Sequence, residues 1–255
     1  MGREFITSRS NPLVARIRKL NSKRSFRREE GLFVGEGPKL LAEAIKWGAQ
    51  LETVVCTSDA VLPELPESVR VVEVPADLLN AVADTESPQG VVFLCRMPGT
   101  ALPAQLTGKR YLILDGVQDP GNVGTIWRTA DAFGADALIL SGGCADPWAP
   151  KTLRATMGAA FRLPVFEGTL GQVSERLSIA GIPLYATALR DDTVDVCEVD
   201  LSRSAVIIGS EGKGVSDLAL SLCSKTVKIP MTERCESLNA GIAAGVVLWE
   251  MFRHP

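Results

Sequence analysis

The sequence has 255 residues, 46% of them apolar and 22% charged, with a net charge of −3. This composition is typical of a globular protein with one or two domains and excludes a disordered chain. No apolar run is long enough to span a bilayer, no signal peptide is recognisable, and the six cysteines form no CxxC pair, so we expect a cytoplasmic protein without membrane spans, metal sites or disulfides.

The first 30 residues are strongly basic. Nine Arg and Lys against three acidic residues give them a net charge of +6, which leaves −9 for the remainder of the chain. A basic segment on an acidic protein favours a nucleic-acid partner, although a solvated helix face can carry similar charges. The predicted RNA contacts are Arg16, Arg18, Lys19, Lys23, Arg24, Arg27 and Arg28.

Short helices and strands alternate over the first third of the chain. Asn11 followed by Pro12 predicts the start of a helix over 11–20, and Gly48 ends a second one over 38–48. Three β-branched runs and one further helix follow. We therefore predict a small α/β domain over 1–97 with a basic N-terminal arm, and a linker rich in Pro, Gly and Thr over 98–109.

From residue 110 onwards, apolar strands alternate with amphipathic helices. Continuous rather than alternating apolar runs are typical of a parallel sheet covered on both faces, so we predict a doubly wound α/β domain over 110–255. In such domains ligands bind at the carboxyl ends of strands. The predicted strands cover 111–117, 137–141, 163–166, 182–188, 204–209 and 225–229, and the predicted helices cover 124–134, 151–160, 171–181, 215–223 and 238–253.

The glycine-rich loops of this domain lack the usual nucleotide fingerprints. GSEGKG at 209–214 is followed by Val215, whereas a phosphate loop needs Lys and then Ser or Thr. The loop DGVQDPGNVG has Asp119 where a dinucleotide site needs glycine. The only histidine, His254, is next to the last residue, which argues against Ser-His-Asp or Cys-His catalysis. A nucleotide-dependent enzyme acting on small molecules is therefore disfavoured.

Polar side chains nevertheless collect where these strands end. Asn122 and Gly124 open a helix that carries Arg128, and a helix start favours an anion such as phosphate. Ser237 before the last helix has the pattern of an N-cap, which leaves Asn239 in the first turn without a structural role.

Three segments of the chain are similar to a known family. NVGTIWRTADAFGAD, IIGSEGKGVSD and VKIPMTERCESLNAGIAAGVVLWE resemble, in this order, the three motifs of the SpoU (TrmH-like) RNA ribose 2'-O-methyltransferases of the SPOUT superfamily, and RATMGAAFRLPV resembles a stretch between them. The resemblance covers 111–255 and implies a parallel sheet flanked by helices with a C-terminal trefoil knot. FVGEGPKLLAEAIKWG resembles, less specifically, an L30e-like RNA-binding domain.

The resemblance also implies the activity and its residues. It implies methyl transfer from S-adenosylmethionine to a ribose 2'-hydroxyl of a structured RNA, in a homodimer whose Arg128 serves the partner's cofactor pocket. The additional N-terminal domain favours ribosomal RNA as the substrate, with transfer RNA as the other possible substrate. The final proton acceptor stays open between phosphate, water and Glu211, and a non-catalytic RNA-binding protein of the same fold is the alternative. The implied polar active-site residues are Asn122, Arg128, Glu211, Ser237 and Asn239, and the implied cofactor pocket consists of Thr187, Ala188, Leu189, Gly209, Glu211, Gly212, Ile229, Met231, Ser237 and Leu238.

Overall fold

The computed structural model describes residues 4–190, 192–232, 234 and 237–253. His254 and Cys235 lie outside the described residues. The chain forms two compact units, Met1–Pro98 with Asp146–Phe161, and Gly99–Ala145 with Arg162–Pro255. Among the described residues, no helix has both the length and the apolar character needed to cross a membrane.

The first unit is built on a five-stranded mixed sheet in the order β1-β4-β3-β5-β2. Strands β1, β4 and β3 are parallel, whereas β5 runs antiparallel to both β3 and β2. Apolar side chains of the sheet and of the first helix form its core. Its elements up to Pro98 are β1 (Glu4–Phe5), α1 (Pro12–Ser22), α2 (Arg24–Glu30), β2 (Leu32–Glu36), α3 (Pro38–Lys46), β3 (Leu51–Cys56), β4 (Arg70–Glu73), α4 (Ala76–Asn80) and β5 (Val91–Arg96).

The second unit contains a seven-stranded sheet in the order β10-β12-β9-β11-β6-β7-β8. Every described strand pair in it is parallel, which confirms the predicted α/β class. The elements after Pro98 are β6 (Arg110–Asp115), α5 (Pro120–Ala132), β7 (Ala137–Leu140), α6 (Pro150–Thr156), β8 (Val165–Glu167), α7 (Leu170–Ile179), β9 (Leu184–Thr187), β10 (Val194–Asp195), β11 (Ser204–Gly209), α8 (Asp217–Leu222), β12 (Lys225–Lys228) and α9 (Ala240–Arg253), with 3₁₀ turns at Ala159–Phe161 and Val196–Glu198.

The domain boundaries differ from the contiguous division predicted from sequence. Asp146–Phe161, which includes α6, packs within the first unit, where Trp148 stacks on Phe33 with ring centroids 4.9 Å apart. Part of the predicted linker belongs to the second unit, since the Glu167 backbone N–H donates to the Thr100 carbonyl at 2.7 Å. Local composition cannot reveal either contact because both join residues distant in sequence.

The basic N-terminal segment is not a free arm, because α1 and α2 are packed helices. Arg27 is 4% exposed, and its guanidinium donates to Asp146 at 2.5 Å and to the carbonyls of Leu20 and Asn21. A buried charge needs such partners. The prediction that Arg27 contacts RNA is therefore wrong.

The other predicted RNA contacts differ in availability. Arg16 forms ion pairs with Glu30 at 2.7 Å and Glu52 at 2.6 Å, so its charge is largely compensated within the unit. Lys19 remains exposed, with its ammonium 4.9 Å from the centre of the Phe26 ring. RNA binding by Arg16, Arg18, Lys19, Lys23, Arg24 and Arg28 stays a prediction.

Candidate functional site

The second unit contains a cavity of 510 Å³ at the carboxyl ends of β9, β11 and β12. Its volume lies within the range of small-molecule and cofactor sites. The ten residues predicted to bind a cofactor all line it. They are Thr187, Ala188, Leu189, Gly209, Glu211, Gly212, Ile229, Met231, Ser237 and Leu238.

The loop 210–214 forms one wall of the cavity and is closed on itself. The Ser210 amide donates to the Gly214 carbonyl and the Gly214 amide to the Ser210 carbonyl, both at 2.9 Å. At Gly209 the backbone of this loop returns so closely that a Cβ would lie 2.0 Å from the Gly214 carbonyl carbon. Only glycine fits there without displacement of the loop, which presents Glu211 at its tip.

A chain of hydrogen bonds joins three predicted active-site residues. The Asn239 side-chain amide donates to Asn122 Oδ1 at 3.2 Å, and the Asn122 side-chain amide donates to Glu211 Oε1 at 2.5 Å. Asn239 Oδ1 in turn accepts from the backbone N–H groups of Gly241 at 2.8 Å and Ile242 at 3.3 Å. The donors therefore point in one direction, from the start of α9 to the Glu211 carboxylate.

Both helix starts differ from the sequence predictions. Asn239, not Ser237, caps α9, so the prediction that Asn239 has no structural role is wrong. Helix α5 begins at Pro120 rather than near Gly124. Asp119 is its N-cap, because the Asp119 side chain accepts from the backbone N–H of Asn122 at 2.9 Å. Asp and Asn caps satisfy the free N–H groups at helix starts.

Arg128 lies on the second turn of α5 with its side chain exposed. Within the described part of the chain, it forms no hydrogen bond or ion pair. It stays outside the Asn239–Asn122–Glu211 chain, and Ser237 lines the cavity instead. The Arg128 guanidinium is thus available to an anion or to a second protein chain.

One polar residue of the site region was missed in the sequence predictions. Asp115 ends β6 directly opposite Gly209 in the sheet and is 8% exposed. Its carboxylate accepts from the Ser216 amide at 2.7 Å and from the Ser141 hydroxyl at 3.0 Å. It therefore ties the far end of the cavity loop to β6 and β7. An acid at the end of the apolar run YLILD was the available signal.

A buried thiol lies beside the end of β6. The described residues contain no cluster of His, Cys, Asp and Glu suited to a metal ion. Burial is the main cause that raises the pKa of the Cys144 thiol, which donates to the Leu114 carbonyl at 3.3 Å. A thiol with a raised pKa is a poor nucleophile at neutral pH.

Helices α5 and α9 together border a second, apolar cavity of 460 Å³. Phe133, directly after the end of α5, packs against Trp249 and Phe252 of α9. The ring centroids of each pair are 5.8 Å apart. Trp249 is nevertheless 49% exposed and Ile242 is 59% exposed. Contiguous exposed apolar surface of this kind marks a contact with another molecule.

Comparison with known proteins identifies similar sequences and folds. The model of the SpoU rRNA methylase family matches residues 109–249, and that of the MRM3-like substrate binding domain matches residues 11–92. The 23S rRNA (guanosine(2553)-2'-O)-methyltransferase RlmP of Bacillus subtilis is 34% identical over 96% of this chain and 98% of its own.

Two further relatives carry structural or substrate information in their names. The 23S rRNA (uridine(2479)-2'-O)-methyltransferase of Streptomyces viridochromogenes is 33% identical over 83% of this chain and 72% of its own. The crystal structure of an AdoMet-bound rRNA methyltransferase from Sinorhizobium meliloti superposes with a TM-score of 0.87 at 32% identity and covers 98% of both chains.

Proposed function

The chain belongs to the SpoU rRNA methylase family, and we propose that it transfers the methyl group of S-adenosylmethionine to a ribose 2'-hydroxyl of 23S ribosomal RNA. The observation that carries this proposal is the cavity at the ends of β9, β11 and β12, which gathers every residue of the implied cofactor pocket. Both curated relatives described above are named for this reaction.

The cavity residues suit this cofactor chemically. Apolar side chains of Leu189, Ile229 and Leu238 offer surfaces for the adenine and for the aliphatic part of the methionine moiety. The tight turn at Gly209 holds the loop 210–214 in place as one wall of the cavity, and Glu211 on that loop is an acceptor. S-adenosylmethionine, when bound, supplies an electrophilic methyl group on a sulfonium.

The polar residues then have distinct roles in the transfer. The hydrogen-bond chain from α9 through Asn239 and Asn122 holds Glu211 in one orientation at the cavity. Arg128 is a permanent donor and binds the phosphate next to the target ribose, where it stabilises the developing alkoxide. Fixed geometry lowers the barrier by removing the entropy cost of alignment.

The test is methyl transfer to unmodified RNA. Calorimetric titration with S-adenosylmethionine is followed by incubation with radiolabelled cofactor and either unmodified 23S rRNA or unmodified tRNA. We expect binding, and label in an alkali-resistant 2'-O-methyl dinucleotide from 23S rRNA alone. Binding of RNA without label transfer would instead support the non-catalytic alternative.

We also propose that the enzyme is a homodimer formed through α5 and α9. The exposed Ile242 and Trp249 next to an apolar cavity support this contact, and a second copy of the chain would cover them. The exposed Arg128 lies on α5, so a partner bound there would bring a second cavity within its reach.

Trp249→Glu should weaken the proposed dimer about tenfold or more, because a carboxylate would replace a large aromatic contact. Sedimentation equilibrium over a range of protein concentrations measures the change. Ile179→Glu, at an exposed apolar position on α7, is the control and should leave the mass unchanged. A monomeric and fully active wild-type protein would contradict the dimer.

Two structural details and the location in the cell complete the proposal. A trefoil knot is supported by the three separate chain segments that meet at the cavity. An L30e-like first domain is supported by its small mixed sheet with flanking helices. A crystal structure in which the two chain ends can be pulled apart without entanglement would contradict the knot.

We also propose a cytoplasmic location. Recovery of the protein with the membrane fraction after cell fractionation would contradict it.

Asp115→Ala should weaken S-adenosylmethionine binding about tenfold, because it leaves the Ser216 backbone N–H without its acceptor and frees the cavity loop. Asp115→Asn keeps an acceptor for that amide and should restore most of the affinity. Calorimetry on both variants measures the effect. Equal losses in both variants would mean that the negative charge, not the hydrogen bond, positions the loop.

A further inference from the structure

One flank of α3 in the first unit carries an exposed aromatic side chain among lysines. Lys39, Glu43 and Trp47 follow each other at intervals of four residues, and Lys46 lies beside them, so all four occupy one side of the helix. Trp47 is 48% exposed, and the Lys46 ammonium lies 5.7 Å from the centre of its ring. The opposite side packs into the core through Leu40, Leu41 and Ala44.

The turn after α6 presents a second large apolar side chain. Met157 is 57% exposed and has a φ of 49°, which makes it the only residue other than glycine with a positive φ among the described residues. Glycine is the usual residue in this left-handed position after a helix, and a side chain there costs about 1 kcal/mol. Because the side chain is exposed, packing within the unit does not explain why methionine stands there.

These two features lie against each other. A Cβ at Gly158, which follows Met157, would be 2.9 Å from Glu43 Cγ, so the turn contacts the α3 flank one helical turn before Trp47. Trp47, Met157, Lys39 and Lys46 lie around this contact with Glu43, and we call these five residues the α3 patch. It combines two exposed apolar side chains with two cationic ones and one carboxylate, so that its net charge is positive.

We propose that the α3 patch binds an unpaired segment of the substrate RNA, with Trp47 and Met157 against a base and the two lysines near its phosphates. This inference rests on the proposed function. Single-stranded RNA is recognised by aromatic stacking combined with positive charge. The patch lies within the first unit, where the model of a substrate binding domain matches residues 11–92.

The chemistry of the patch distinguishes RNA from a protein partner. A protein contact of this size would gain little from exposed lysines, because charged residues are depleted in the buried centre of interfaces. A nucleic acid offers both a π face and a negative backbone. A single RNA ligand can therefore contact both the lysines and the aromatic ring.

The test measures equilibrium binding and kinetics with an unmodified 23S rRNA transcript. Trp47→Ala should raise both Kd and KM for the RNA between about 5-fold and 100-fold, as expected for the loss of one stacked base. Trp47→Phe keeps a π face and should restore most of the affinity. The Kd for S-adenosylmethionine and kcat at saturating RNA should not change in either variant.

Met157→Gly provides a second variant in which folding and binding change in opposite directions. It relieves the positive φ and should raise the midpoint of thermal unfolding or leave it unchanged, while it weakens RNA binding about fivefold. Phe5→Ala and Ile179→Ala remove exposed apolar side chains elsewhere and are the controls.

The results separate this inference from the proposed function. RNA affinity unchanged in both Trp47→Ala and Met157→Gly would overturn the α3 patch, even if the wild type methylates RNA. A loss of oligomer mass with unchanged RNA affinity would also overturn it, since the patch would then bind protein. Absence of methyl transfer by the wild type would overturn the proposed function. The RNA affinities of the two variants would still show whether the α3 patch binds RNA.

Discussion

Arg128→Ala should lower kcat about 100- to 1,000-fold and leave the Kd for S-adenosylmethionine unchanged. This is the loss expected when a donor that stabilises developing negative charge is removed. The cavity does not include Arg128, so the cofactor should bind normally. Single-turnover methyl transfer at saturating RNA, together with calorimetry, measures the two quantities separately.

Matched arginine variants define what the side chain does. Arg128→Lys keeps the charge but loses the planar fork of donors, and we expect an intermediate rate. Arg176→Ala, on α7 of the same unit, is the control and should retain full activity. An Arg128→Ala enzyme with wild-type kcat would remove this residue from the mechanism.

The same variant tests whether the active site is shared between two chains. If Arg128 serves the partner's cavity, a mixture of Arg128→Ala and Gly209→Ala proteins should regain activity, since a mixed dimer has one intact site. No recovery after the two proteins are unfolded and refolded together would place Arg128 with the cavity of its own chain.

Gly209→Ala should raise the Kd for S-adenosylmethionine by about 100-fold or more. The added Cβ would lie 2.0 Å from the Gly214 carbonyl carbon, 2.2 Å from the Val215 nitrogen and 2.3 Å from the Gly214 oxygen. All three are backbone atoms that cannot rotate away, so the loop that forms a wall of the cavity must move. Displacement by about 1 Å is enough to cost a factor of about 100 in a well-formed site.

The folding of this variant needs its own measurement. Gly171→Ala adds the same methyl group at a position with no heavy atom within 4 Å and should bind the cofactor like the wild type. Circular dichroism and thermal unfolding show whether Gly209→Ala remains folded. A folded variant with a Kd within threefold of the wild type would contradict the proposed role of the turn.

Local patterns in the sequence predict much of the fold and of the cavity. The apolar run at 204–209 coincides with β11, and helix α1 begins after Asn11 as its cap residue predicts. The resemblance of three motifs to a family supplied the cavity residues, and the structure brings all ten together. Periodicity alone predicts the sheet and the edge at which a ligand binds, but it does not identify the ligand.

Other features depend on contacts that sequence neighbours do not encode. The buried ion pair of Arg27 joins residues 119 apart, and the two side-chain hydrogen bonds of Asn122 link it to residues 89 and 117 positions away. A basic run therefore indicated an RNA surface where one arginine is structural, and Asn239 looked superfluous although it caps α9. Backbone conformation and capping follow from a few adjacent side chains, whereas burial and hydrogen-bond partners follow from which segments pack together. Only the packed chain settles these contacts.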